Sequence, residues 1–287
     1  MTFSVNTNPG AFIALQNLTN TTSSLDTTQL RITTGLRVNG PKDDAANFAI
    51  ATQLRGDIAG IESVKIALST GDSIVNVAIS AGKAMADLLT EMKGKTVQAN
   101  QVGLDAATRS ALNNDFGRLR DQITSIITSA SFSNTNLITS QAANLAVLSS
   151  VDGSTITVSA QIMDVLTLGI STAALASSAN ALSAMTLMNT AILSVSDKLS
   201  ALGSSARQLE IQQTFTQQLI DIFKESVGNL VDADLAEEGA TLQSLQIKQQ
   251  LGVQALACVC VFAWVVVLMG SMLKLLKWRG TCFSHSI

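Results

Sequence analysis

The sequence predicts a mainly α-helical chain, an elongated antiparallel helical bundle or coiled coil that carries one small β-hairpin. Three observations predict it. The 287 residues include only two prolines, Pro9 and Pro41, so nothing after Pro41 forbids long uninterrupted helices. Apolar residues recur in a 4-3 alternation that holds its register for about six heptads, the pattern of a coiled-coil seam. Aromatic residues make up only 4% and tyrosine is absent, while Ala, Leu, Ser, Thr and Gln dominate. That mixture suits thin helix–helix seams better than a broad core.

The first helix carries its seam on Ala11, Leu15, Leu18, Thr22, Leu25, Gln29, Ile32 and Leu36. Two of these are polar, and Ser4 to Asn20 has no charged side chain, so the helix is marginal alone and needs partners. Gly35, Asn39, Gly40 and Pro41 break the pattern, as loop residues do. Asp43 or Asp44 then caps a second helix that opens with Ala45 and Ala46. Helical spacing predicts this helix over 44–93, with a seam of Ile50, Leu54, Asp57, Ile61, Val64, Leu68, Gly71, Val75, Ala78, Gly82, Met85, Leu89 and Met92. Gly71, Ala78 and Gly82 would let a neighbouring helix come close.

Gly94 and Gly103 bracket a loose connection, and Asp105 caps a third helix over 105–129 with Leu112, Phe116, Leu119, Ile123 and Ile126 on its seam. Ser131 to Asn136 ends it. Over residues 144–158 the period changes, and Asp152-Gly153 between short apolar runs reads as a two-residue hairpin turn. Helical spacing resumes over 173–230 along Val195, Leu199, Leu202, Ala206, Leu209, Gln213, Thr216, Ile220, Phe223, Val227 and Leu230. Asp234, three residues before Glu237, then caps a last helix with Leu242, Leu245, Ile247 and Leu251.

Two stretches resemble the bacterial flagellin family. Its R-[LI]-[ST]-[ST]-G-x-x-[IV]-x-x-x-x-D-D-A-A signature stands here as Arg31, Ile32, Thr33, Thr34, Gly35, Val38, Asp43, Asp44, Ala45 and Ala46. Val231 to Leu256 is similar to the family's C-terminal core, an acidic [ED]-D-A-D-x-A-x-E stretch followed by an Ala/Gln/Leu-rich helix. The resemblance implies a structural, non-enzymatic subunit that self-assembles into the flagellar filament for motility. Its partners would be copies of itself, the flagellar export machinery and a secretion chaperone. It would leave the cell by type III export without a cleaved signal peptide and act extracellularly. The assembly residues it points to are Arg31, Gly35, Leu36, Asp43, Asp44, Ala45, Ala46, Asp234, Glu237, Leu242 and Leu245. The expected organisation is an inner-tube helix (1–40), core helices (41–130), a short hairpin or variable region (131–172), a C-terminal core helix (173–231), a second inner-tube helix (232–256) and a tail (257–287).

In receptor-activating flagellins the second helix resembles L-Q-R-[VI]-R-E-L-A-V-Q. Here the run is Leu89 to Gln98, with Glu91 where the first arginine stands and Gly94 where the glutamate stands. That implies weak or absent activation of the vertebrate surface receptor.

After Leu256 the resemblance fails. All three cysteines, both tryptophans and the one histidine lie in this tail, with three basic residues and no acidic one. The run 255–273 is uncharged and spans about 28 Å as a helix, enough for a bilayer. The tail reads either as a membrane anchor or as a foreign or frame-shifted end, and membrane association follows only if it is native. Its apolar surface works against register-specific packing of the terminal helices. Two alternatives therefore stand beside the filament subunit: a hook–filament junction protein and a tail-anchored coiled-coil membrane protein.

No cofactor is implied. Cys258, Cys260, Cys282 and His285 form a nominal ligand set, but an apolar span divides them. The rest of the chain has neither cysteine nor histidine, which excludes thiol chemistry and Ser/His/Asp hydrolysis there. The net charge of −3 argues against a nucleic-acid partner.

Overall fold

The computed structural model describes residues 9–283; beyond Cys258, the side chains it describes are those of Val261, Trp264, Val265, Leu268 and Met269. Among the described residues the elements are α1 (Pro9–Thr34), α2 (Ala45–Ala99), α3 (Ala106–Ser129), β1 (Leu145–Leu148), β2 (Thr155–Val158), α4 (Ser178–Val231) and α5 (Leu235–Phe283). They form two compact units, Met1–Gln53 with Ser226–Ile287, and Leu54–Glu225.

The second unit holds the main core. From Ile61 to Met92, α2 buries each residue of its predicted seam. α4 answers with buried Val195, Leu202, Leu209, Thr216 and Ile220, and α3 adds Phe116 and Ile123. Leu68, Met85, Leu89, Phe116 and Met188 are among the largest fully buried side chains. Each such side chain contributes about 1.5–3 kcal/mol, so this cluster dominates the stability of the unit. At Gly82 the helices approach as expected, since a Cβ there would lie 2.7 Å from Leu199 Cδ2 on α4. At Gly71 the close neighbour is Val147 of β1, at 2.6 Å, rather than a helix.

Several boundaries differ from expectation. Gly94 does not end α2, which continues to Ala99 because Thr96 and Ala99 extend the buried seam. Their burial offsets the roughly 1 kcal/mol helix penalty of an exposed glycine. α4 begins at Ser178 rather than 173, because Leu168, Ile170, Ala173 and Leu175 are buried as an irregular segment, tied to α3 where Leu175 N–H donates to Asn113 Oδ1 (2.7 Å).

The hairpin is present, with Leu145 opposite Val158 and Leu148 opposite Thr155. Its turn is longer than two residues. Ser149 N–H donates to Ser154 O (2.8 Å), and the reversal runs over Ser150 to Gly153, with Gly153 at φ +87°. A two-residue reversal occurs instead at Ser133 (φ 49°) and Asn134 (φ 63°), where Phe132 and Thr135 exchange backbone hydrogen bonds of 3.0 and 2.9 Å.

In the first unit α1 and α5 pair antiparallel. Leu18 meets Gly252, and Arg31 meets Glu238. On α1 only Leu25 and Thr28 are buried. The predicted seam is off by one residue at three places: Ala14 is half-buried while Leu15 is exposed, Thr28 is buried while Gln29 is exposed, and on α2 Ala51 is buried while Ile50 is 49% exposed. A straight helix drifts against a strict 3.5-residue repeat, and with few apolar residues the stripe alone does not resolve one residue from the next.

Among the described residues no helix is long and apolar enough to cross a membrane. Many side chains of the 255–273 run, with those of Cys260, Cys282 and His285, lie outside what is described. Cys258 is exposed, and the described residues hold no cluster suited to a metal.

Candidate assembly site

Most of the signature residues meet where α1 ends and α5 begins. Gly35 stops α1 in the left-handed conformation (φ +70°), its N–H donating to Arg31 O at 2.8 Å, the closing bond of a glycine helix cap. The chain then runs beside the α4–α5 link. Leu36 bridges Asp232, and Ala233 N–H donates to Gly35 O (2.9 Å). Arg37 and Val38 both donate their N–H groups to Val231 O, at 2.7 and 3.2 Å. The Arg37 guanidinium donates to Leu230 O (2.8 Å), satisfying a carbonyl at the end of α4. Val38 and Val231 are buried beneath these bonds. Two links far apart in sequence are thus clipped together by main-chain bonds, which depend little on side-chain identity except at Gly35.

Two aspartates complete the helix starts. Asp44 Oδ1 accepts the N–H groups of Ala46 and Asn47, both at 3.1 Å, and Oδ2 accepts the Asn47 amide at 2.6 Å. The Asn47 N–H above all, with its side chain, holds the Asp44 carboxyl below the usual aspartate range. Asp43 does not cap. Its Oδ2 accepts the N–H groups of Asn39 and Gly40, at 3.0 and 3.1 Å, and closes the preceding turn. Asp234 caps α5, accepting from Ala236 and Glu237 at 2.8 and 3.3 Å. Ala45 and Ala46 are exposed in the first turn of α2.

Glu237 presents its side chain to solvent. The working residue is its neighbour Glu238, which accepts a hydrogen bond from Arg31 Nη1 at 2.9 Å in a largely buried ion pair. Sequence reasoning passed over Glu238, yet it had a signal: four residues before Leu242, it begins the stripe that continues through Leu242, Leu245, Gln249 and Gly252, all partly buried. Arg31 Nε is buried without a hydrogen bond. The two helices therefore meet at an ion pair where their apolar contact is thin.

On α2, the receptor-like run buries Leu89, Met92 and Thr96 and exposes Glu91 and Gly94. Lys95 pairs with Asp115 of α3 at 3.1 Å.

Comparison with known proteins places this architecture. Residues 5–143 match the bacterial flagellin N-terminal helical region, and residues 185–260 match the bacterial flagellin C-terminal helical region. Flagellin FljK of Caulobacter vibrioides is 42% identical over 255 residues, which cover 88% of this chain and 93% of that protein. A flagellin of Brucella melitensis is 32% identical over 268 residues, covering 88% and 94%. A Vibrio parahaemolyticus structure described as a flagellar hook-associated protein aligns with a TM-score of 0.55 over 66% of this chain and all of that one; at 14% identity this likeness concerns the fold alone. With both terminal regions matched and a relative at 42% identity spanning nearly its whole length, the chain belongs to the bacterial flagellin family.

Proposed function

We infer that this flagellin, a structural subunit of the extracellular flagellar filament, polymerises through the faces of α1 and α5 that lie away from their mutual seam. One observation carries this reading. Phe12, Ile13 and Leu15 of α1, and Ile247, Leu251 and Val253 of α5, are each more than half exposed. Apolar side chains this dense on a two-helix pair mark a surface meant to be covered, and in a homopolymer the cover is another copy. The terminal segments 1–40 and 232–256 act as inner-tube helices, and the helices of 41–130 and 173–231 as the surrounding core. The clip built on Gly35, Leu36 and Asp234, with the Arg31–Glu238 pair, holds the two terminal helices in one register. Before assembly the same faces need shielding, which supports delivery by the flagellar export machinery with a secretion chaperone.

The test is the double variant I247D/L251D. Both residues lie off the α1-facing stripe, so helix content by circular dichroism should stay unchanged while electron microscopy shows filaments lost. Filaments of normal length from this variant would overturn the assignment.

A further inference from the structure

Among the asparagines of the chain only Asn39 is followed by glycine. The pair stands in the link between α1 and α2, with Asn39 exposed. Asparagine deamidates when the backbone nitrogen of the next residue attacks its side-chain carbonyl carbon. Glycine, lacking a Cβ, hinders that approach least. The attack also requires the backbone N–H proton to be removed. Here the Gly40 N–H donates to Asp43 Oδ2 at 3.1 Å, so a carboxylate already holds the proton that must leave.

We propose that Asn39–Gly40 is a self-modification site, with Asp43 as its base. Asp43 takes the Gly40 N–H proton as the Gly40 nitrogen bonds to Asn39 Cγ. The bond from Cγ to the side-chain nitrogen then breaks, and ammonia leaves with the proton returned by Asp43. The resulting cyclic imide is opened by one water molecule, leaving aspartate or isoaspartate at position 39. No oxidant or reductant is involved. Either product sets a new carboxylate beside Asp43, and isoaspartate lengthens the main chain by one methylene. The next residue back is Val38, whose N–H bonds Val231 O in the clip. Ageing at this one site therefore loosens the joint between the α1–α2 and α4–α5 links.

The test is to incubate the full-length protein at physiological temperature and neutral pH for several weeks. Mass spectrometry of the peptide Val38–Arg55, with enzymatic methylation to detect isoaspartate, follows the conversion. Asn39 should convert at least about tenfold faster than Asn76, which precedes a β-branched valine. G40A should slow conversion at Asn39 by at least about tenfold; a Cβ there meets nothing within 4 Å, so the fold should be kept. D43N keeps a neutral oxygen acceptor for both N–H groups and removes the base, so conversion should slow several-fold with helix content unchanged. An Asn39 that stays intact as long as Asn76 would overturn the site. Equal or faster conversion in D43N would overturn the role of Asp43, showing that the hydrogen bond restrains the amide instead of activating it.

Discussion

The two units use one pattern to opposite ends. In Leu54–Glu225 the 4-3 alternation is filled with Val, Leu, Met, Ile and Phe, and three helices, the hairpin and the segment around Leu168–Leu175 close over it. In the α1–α5 pair the same alternation is filled with Ala, Leu, Thr and Gln, and only Leu25 and Thr28 of α1 are buried. Periodicity alone therefore sets which face turns inward, while the size of the residues on that face sets whether the unit is complete. A seam of large apolar residues makes a body that is stable by itself. A seam of small and polar ones makes a pair that still needs neighbours, and in the proposed assembly these would sit on the exposed Phe12, Ile13, Ile247 and Leu251.

The largest effects should separate the units by stability. Phe116→Ala removes a fully buried ring from the core and should cost about 3–5 kcal/mol. Leu18→Ala, on the half-exposed pair, should cost less than about 1 kcal/mol, since most of its transfer term is already forfeited. Denaturant unfolding of the monomer measures both; equal losses would erase the distinction.

A second test addresses what lies beyond the pair. The antiparallel register that sets Leu18 against Gly252 and Arg31 against Glu238 brings Pro9 opposite about residue 261 at one rise per residue on each helix. The family match ends at residue 260. Trp264 and Met269, past that point, are strongly exposed. Exchanging residues 257–287 for a family-like terminal segment should therefore raise the yield and length of ordered filaments seen by electron microscopy under polymerising salt. No change would show that the tail is harmless to packing. Within the stable body, the exposed Glu91 and Gly94 predict a weak response in a receptor reporter-cell assay, and a response as strong as that to an enteric flagellin would refute it.

Legibility in the sequence follows the same division. The seam of α2 from Ile61 to Met92 and that of α4 from Val195 to Val227 could be read directly, because large apolar residues leave one register possible. On α1 the stripe was legible but its register slipped at Leu15 and Gln29, where Ala and Thr compete on nearly equal terms with their neighbours. At the clip, Gly35, Asp44 and Asp234 were readable because each does a local backbone job: a left-handed cap or a helix start. Glu238 was missed because its partner lies 207 residues away and the cap spacing from Asp234 points to Glu237, although the stripe through Leu242 marks Glu238 locally. The hairpin turn was misjudged because Asp-Gly marks a reversal without fixing its length.

A smaller effect tests whether the clip depends on backbone shape. Gly35 sits at φ +70° with nothing within 4 Å of a Cβ, so Gly35→Ala meets no clash and its cost is conformational alone, about 1–2 kcal/mol. Amide exchange at Arg37 and Ala233 should accelerate while the core of Leu54–Glu225 keeps its protection. Unchanged exchange would mean that the clip is held by its side chains.

The smallest effect compares the two helix starts, one in each unit, whose capping carboxyls are held below their ordinary value. Asp44 owes this first to the Asn47 N–H, and Asp105 first to the Thr108 side chain, with Thr108 N–H at 3.4 Å from Asp105 Oδ2. A carboxyl whose folded pKa is depressed stabilises the fold wherever the unfolded chain's carboxyl is ionised, above about 3.8. That contribution is lost as pH falls below this value and through the folded pKa. Asp44→Ala and Asp105→Ala should therefore each fray the first turn of their helix at neutral pH, seen as faster exchange at Asn47 and Thr108. Below the folded pKa both variants should converge on the parent protein. The Asp44 effect should be the larger, because that carboxylate accepts two backbone N–H groups and a side-chain amide, while Asp105 relies chiefly on Thr108, through its side chain and one long N–H contact. Equal fraying at the two sites, or a difference that persists in acid, would show that the caps act through packing rather than through their charge.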